Sequence, residues 1–193
     1  MHTTRFSDCA INTPAEMITA TRQAGYDAVY LTEHNAVWPE EDLADLRGVA
    51  QGMRVFGGVE RSLGDGSVHI LVLGTSDPLV LEIQDIGVLL DFARDADCLT
   101  VLAHPYRWPG GDLPITEGLL PDAIEYRTPN HTPQQAASAY LAAQQLHLRP
   151  VNASDAHSID YVGRYWIETV APLVEPKDLR QIVLAGAYEN RTP

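Results

Sequence analysis

The chain has 193 residues, 45% of them apolar and 20% charged, a composition that suits one globular domain with a buried core. A formal charge of −13 opposes binding to long nucleic acid, because that affinity comes from Lys and Arg neutralising phosphates. No apolar run is long enough to span a bilayer, and Met1 to Asp8 lack the basic-then-apolar order of a secretory signal, so a cytoplasmic chain without a membrane partner is expected.

Thr13, Pro14 and Glu16 supply an N-cap, a proline at the first helical position and a glutamate three residues after the cap, which predicts a helix over 14–24 stopped by Gly25. A short apolar strand follows, Ala28 to Thr32, leading into Glu33 and His34. A helix is expected over 40–51, a strand over 54–59 ending in Glu60, and a strand over 68–73 containing His69. A helical stretch over 82–96 leads to a strand at 99–103 that ends in His104 and Pro105, and Ala123 to Tyr126 reads as another strand. Thr132 to Gln135 repeat the capping pattern for a helix to about 147, and a strand over 150–153 stops before Asp155 and His157. A last strand over 165–170 and a last helix over 175–185 complete the reading. Strands alternating with helices imply a parallel sheet with crossover connections, an α/β barrel or open layer in a single domain over 1–193. The Pro/Gly-rich stretch from Trp108 to Pro114 reads as a surface loop, since the same alternation continues on both sides.

The imidazoles and carboxylates fall in a regular place. His34, Glu60, His104 and the Asp155/His157 pair each stand at the C-terminal end of an expected strand, the ligand face of barrels and open α/β sheets. Any one histidine there is more often structural, but several at equivalent positions are hard to place independently. Mixed imidazole and carboxylate ligands suit zinc, manganese or iron, and that chemistry is metal-assisted hydrolysis. Cys9 and Cys98 are far apart and form no Cys-x-x-Cys spacing, so both are expected as free thiols, Cys98 buried.

Five segments, His2-Thr3-Thr4-Arg5-Phe6-Ser7-Asp8, Leu31-Thr32-Glu33-His34-Asn35, Gly57-Gly58-Val59-Glu60, Leu102-Ala103-His104-Pro105 and Ala153-Ser154-Asp155-Ala156-His157, occur in the order and approximate spacing of the polymerase-and-histidinol-phosphatase (PHP) family, which the chain therefore resembles. The resemblance implies a distorted (βα)7 barrel, its first strand lacking or shortened, with two or three divalent metals (Zn, Mn or Fe) at the C-terminal rim. It places His2, Glu60 and Asp155 on a first metal, with Glu60 bridging to a second held by His69 and His104. Asp8, His34 and His157 fall to a third. Asp8 could also be a simple cap and His69 a structural strand residue. The family's opening motif is His-x-His; His2 is its second histidine and Met1 occupies the intervening place. Either the natural start lies upstream of Met1, which the intact later motifs favour, or one ligand and the opening strand are lost.

The activity implied is hydrolysis of a small phosphorylated metabolite or nucleotide through a metal-bridging hydroxide, with Glu60 spanning the metals and Asp155 or His157 transferring a proton. Arg107, Arg164 and Arg127 are candidate phosphate binders near the rim, as is Arg5 more weakly, since guanidinium groups engage phosphate bidentately. His131, on the loop after Arg127, is a further substrate-side candidate, and His147 reads as a helix C-terminal residue. The rival readings are an amidohydrolase-like metal hydrolase and a degenerate, non-catalytic metal-binding domain.

Overall fold

The computed structural model describes residues 1–108, 113, 115 and 118–193, so the expected loop over 108–114 lies largely outside the described residues. Its helices are α1 (Pro14–Gln23), α2 (Glu40–Ala50), α3 (Ile86–Asp95), α4 (Pro133–Gln145) and α5 (Asp178–Ala185). Its strands are β1 (Ala28–Leu31), β2 (Arg54–Leu63), β3 (Val68–Leu73), β4 (Leu99–Leu102), β5 (Ala123–Arg127), β6 (Arg149–Asn152), β7 (Trp166–Thr169) and β8 (Tyr188–Arg191). Both predicted capping boxes form, Thr13 with Glu16 on α1 and Thr132 with Gln135 on α4. The stretch expected as one helix over 82–96 is divided: Pro78–Leu81 makes a 3-10 turn and α3 starts at Ile86, capped by Asp85. His147 lies beyond α4 at φ 57°, so it is a left-handed residue after the helix and not part of its last turn.

β1 to β6 form one curled, half-barrel sheet in sequence order, while β7 and β8 form a separate antiparallel pair. The sheet is mixed, which corrects the all-parallel expectation: β3 runs antiparallel to both β2 and β4. Only Gly64 to Ser67 separate β2 from β3, too few for a crossover of a dozen residues, and Gly64 and Gly66 at φ 64° and 88° make a hairpin turn instead. β2 also continues three residues past Glu60, to Leu63.

Side-chain alternation divides the packing. Ile70 and Val72 of β3 and Leu102 of β4 face α3 and α4, where Leu89, Ala93 and Ala142 meet them. Leu71, Leu73, Leu99 and Val101 face the other way, toward Leu179 and Val183 of α5. α1 and α2 cover β1 with Ile18, Leu43 and Leu46.

β1 and β6 are the two outer strands of the sheet. Met1 and His2 join their ends, because Thr32 N–H donates to the Met1 carbonyl at 2.9 Å and His2 N–H donates to Ala156 O at 2.9 Å. A cavity of about 1050 Å3 inside the curl is lined by Tyr30, Leu71, Leu99, Val101, Glu125 and Val151 among others.

Candidate metal centre

Backbone pairing brings the ligands to one rim. Beyond the end of β1, Glu60 N–H donates to Glu33 O at 3.0 Å and Asn35 N–H to Glu60 O at 2.9 Å, which sets His34 beside Glu60. The antiparallel run of β3 explains His69. It stands near the start of its strand, yet opposite Ser62 and diagonal to Glu60, so it reaches the rim that the parallel strands reach with their C-terminal ends.

Glu60, 1% exposed, is the hub. Its Oε2 lies 3.1 Å from His2 Nε2, while Oε1 contacts His69 Nδ1 and lies 3.2 Å from His104 Nε2 and 3.7 Å from His34 Nδ1. His2 Nε2 also lies 3.0 Å from Asp155 Oδ1. The His2 ring lies against those of both His34 and His157, with centroids 4.3 and 4.2 Å away, and these two lie 5.9 Å from each other. Two of these residues have backbone that side chains rarely adopt, His104 at φ 27° and Asp155 at φ 40°. Each is held by a buried or half-buried neighbour: Glu125 Oε2 accepts from His104 N–H at 2.5 Å, and the Asn130 amide donates to Asp155 Oδ2.

The cluster's protonation follows from burial and contact. Burial disfavours the charge on Glu60, but hydrogen bonds from His104, His2 and His69 outweigh it and hold the carboxyl well below its usual range. Burial acts likewise on Asp155, where the His2 contact prevails and holds it at about 2. His2 and His104 are raised despite burial, His2 by Asp155 and Glu60, His104 by Glu60. Burial lowers His34 to about 4 and also lowers His157, and it raises Glu125 to about 7.

The donor set fits divalent metal. Three groups, His2/His34/His157, His34/Glu60/His69 and His2/Glu60/Asp155, each bring their donor atoms within 4.8 Å of one another. Nitrogen and carboxylate oxygen without thiolate suits zinc, manganese or iron over calcium. The structure thus gathers seven of the eight residues expected from sequence. Asp8 is exposed on the loop after His2 and belongs to none of the three groups. Cys9 is exposed and Cys98 buried, both free thiols.

The substrate-side candidates differ. Arg107, Arg127 and Arg164 lie over the rings of Trp108, Tyr126 and Tyr161, and none forms an ion pair among the described residues. Arg5 pairs with Asp42 at 2.9 Å. His131 Nδ1 and Nε2 lie 3.1 and 2.7 Å from the carbonyls of Tyr126 and Pro105, which ties the β4 and β5 loops together through its ring. Sequence reasoning did not single out Glu33, Ser7, Glu125 or Asn130. The available signal was a glutamate at the end of each apolar run, 28–33 and 123–125.

A curled α/β sheet carrying an imidazole–carboxylate cluster on one rim defines an α/β protein with a candidate metal centre. A family profile described as PHP-associated matches residues 134–188. A two-domain protein from Bacteroides vulgatus containing a PHP-like metal-dependent phosphoesterase, itself so assigned by prediction, shares the fold at TM-score 0.74 and 18% identity, over 100% of this chain and 63% of that one. This chain therefore spans just under two thirds of that protein. A proposed metal-dependent phosphoesterase from Bifidobacterium adolescentis aligns at TM-score 0.67 and 14% identity, over 94% and 93% of the two chains. An amidohydrolase from Chromobacterium violaceum, with bound sulfate and no metal, aligns at 0.69 and 17%, over 97% and 95%. No curated protein matches the chain. The matched segment is a likeness to PHP-associated sequence, and the solved structures share the fold.

Proposed function

We propose that the chain is a metal-dependent phosphoesterase acting on a small phosphorylated metabolite or nucleotide. The observation that carries this reading is the convergence of four imidazoles on the buried carboxylate of Glu60, with Asp155 at the same His2 nitrogen as Glu60. Two or three zinc, manganese or iron ions held by these residues would supply a water that ionises near neutral pH and would offset charge on phosphoryl oxygens.

The chain's own groups do the rest. Glu60 offers one oxygen to His2 and the other to His69 and His104, so it can span two cation positions. His157 Nδ1 lies 2.8 Å from its neighbour Asp155 O, so Nδ1–H donates there and Nε2 is left to bind a cation or accept a proton. Arg107, Arg127 and Arg164 carry positive charge that no carboxylate neutralises among the described residues, which favours an anionic substrate. The overall charge of −13 favours a small one over long nucleic acid.

A second reading, hydrolysis of a C–N or C–O bond, draws on the likeness to the Chromobacterium amidohydrolase. The test is a hydrolysis screen of purified protein with added manganese, zinc or iron, over phosphorylated metabolites and nucleotides beside amides and lactones. Turnover of phosphoesters that is lost in His104→Ala and Asp155→Asn is expected. Turnover of amides alone would support the second reading, and bound metal without turnover a non-catalytic metal domain. Neither metal nor turnover would overturn all of these.

A further inference from the structure

Glu33 is fully buried, and no Lys, Arg or His side chain pairs with it among the described residues. A carboxylate in such a place is costly unless hydrogen bonds hold it. Three do, all from the segment that carries His2. Thr3 N–H donates to Oε2 at 3.0 Å, Thr3 Oγ1–H to Oε1 at 2.5 Å, and Ser7 Oγ–H to Oε2 at 2.5 Å.

Ser7 then has one remaining use. Its only proton goes to Glu33, and its oxygen already accepts from His34 N–H at 3.2 Å. The second lone pair faces His2 Nδ1 at 3.5 Å. A hydroxyl whose proton is committed can only accept, so this contact requires the hydrogen of His2 to sit on Nδ1. Nε2 faces Glu60 Oε2 at 3.1 Å and Asp155 Oδ1 at 3.0 Å, a contact that needs a hydrogen there in the absence of metal and frees the lone pair when a cation displaces that hydrogen.

We propose that Glu33 is a positioning residue that acts through Ser7: it commits the Ser7 proton, thereby fixes His2 in the Nδ1–H tautomer, and aims Nε2 at the cation position shared with Glu60 and Asp155. The same oxygen of Ser7 anchors the backbone of His34, so one carboxylate sets two of the imidazoles. The arrangement is a carboxylate–hydroxyl–histidine chain, the hydroxyl standing where a carboxylate more often meets the ring directly. The proposal rests on the metal reading of the site.

The test uses the full chain and five variants. Calorimetric titration with manganese gives the dissociation constant, and ring-nitrogen NMR of the protein loaded with diamagnetic zinc gives the His2 tautomer. Ser7→Ala and Glu33→Gln should each weaken manganese binding about 10- to 100-fold, the double variant no more than either alone. Ser7→Thr, which keeps the hydroxyl, should restore binding. Thr3→Val removes a bond to the same carboxylate without touching His2, so it should lower stability and leave manganese affinity unchanged. The zinc-loaded parent should show Nδ1–H, and Ser7→Ala should lose that preference. Unchanged affinity in Ser7→Ala, additive losses in the double variant, or an Nε2–H tautomer in the zinc-loaded parent would each overturn the proposal and leave the metal reading standing. A parent that binds neither manganese nor zinc would overturn the metal reading and the proposal with it.

Discussion

Replacing Glu60 by Gln keeps the volume of the side chain at the hub and removes its charge. Glu60 is 1% exposed and meets the nitrogens of His2 at 3.1 Å, His104 at 3.2 Å and His34 at 3.7 Å, with His69 in contact as well. Removing one member of a buried charged pair typically costs about 3–5 kcal/mol. If the same loss falls on a bound cation, the dissociation constant rises roughly 100- to several-thousand-fold. Without metal the same change acts through the hydrogen bonds from His104, His2 and His69 that hold the Glu60 carboxyl low, so Glu60→Gln should also lower the stability of the metal-free protein. Titration calorimetry with manganese, paired with thermal unfolding with and without the ion, separates the two effects. Manganese affinity in Glu60→Gln within threefold of the parent would refute the hub role, whatever the stability of the variant.

The stabilisation given by metal should depend on pH. His2 and His104 are raised in the metal-free fold, so their protonated forms contribute stability that is complete below about 6.5 and is lost as pH rises through the raised values. Metal must displace those protons, so the gain in Tm on adding manganese should be larger at pH 8 than at pH 6; an equal or larger gain at pH 6 would contradict the protonation pattern. His34 and His157, both lowered by burial, stay neutral through this window and do not offset the effect. At the opposite end of the strands, Arg180 of α5 bonds Asp122 through Nε at 3.1 Å and Nη2 at 3.2 Å, and Asp97 through Nη1 at 2.9 Å. Arg180→Met should lower unfolding stability in urea by about 1–3 kcal/mol and leave manganese affinity unchanged, because it loosens α5 far from the rim.

The sequence by itself determined the helices and the approximate strands. Capping residues at Thr13 and Thr132 and short apolar runs are local signals, and local hydrogen bonds realise them. It also determined the chemistry available, since imidazole and carboxylate at strand ends limit a site to few metals and reactions. Strand direction was decided elsewhere. His69 lies near a strand start, and only the β2–β3 hairpin, a consequence of the short Gly64 to Ser67 connection, carries it to the rim beside Glu60. Tertiary structure also brought in Glu33, Ser7, Glu125 and Asn130, whose parts depend on partners distant in sequence. The family-like motifs name atoms that could bind a cation. Which nitrogen of His2 faces it depends on a hydroxyl and a carboxylate brought together only by folding, because a tautomer is set by the hydrogen bond at the ring's other nitrogen.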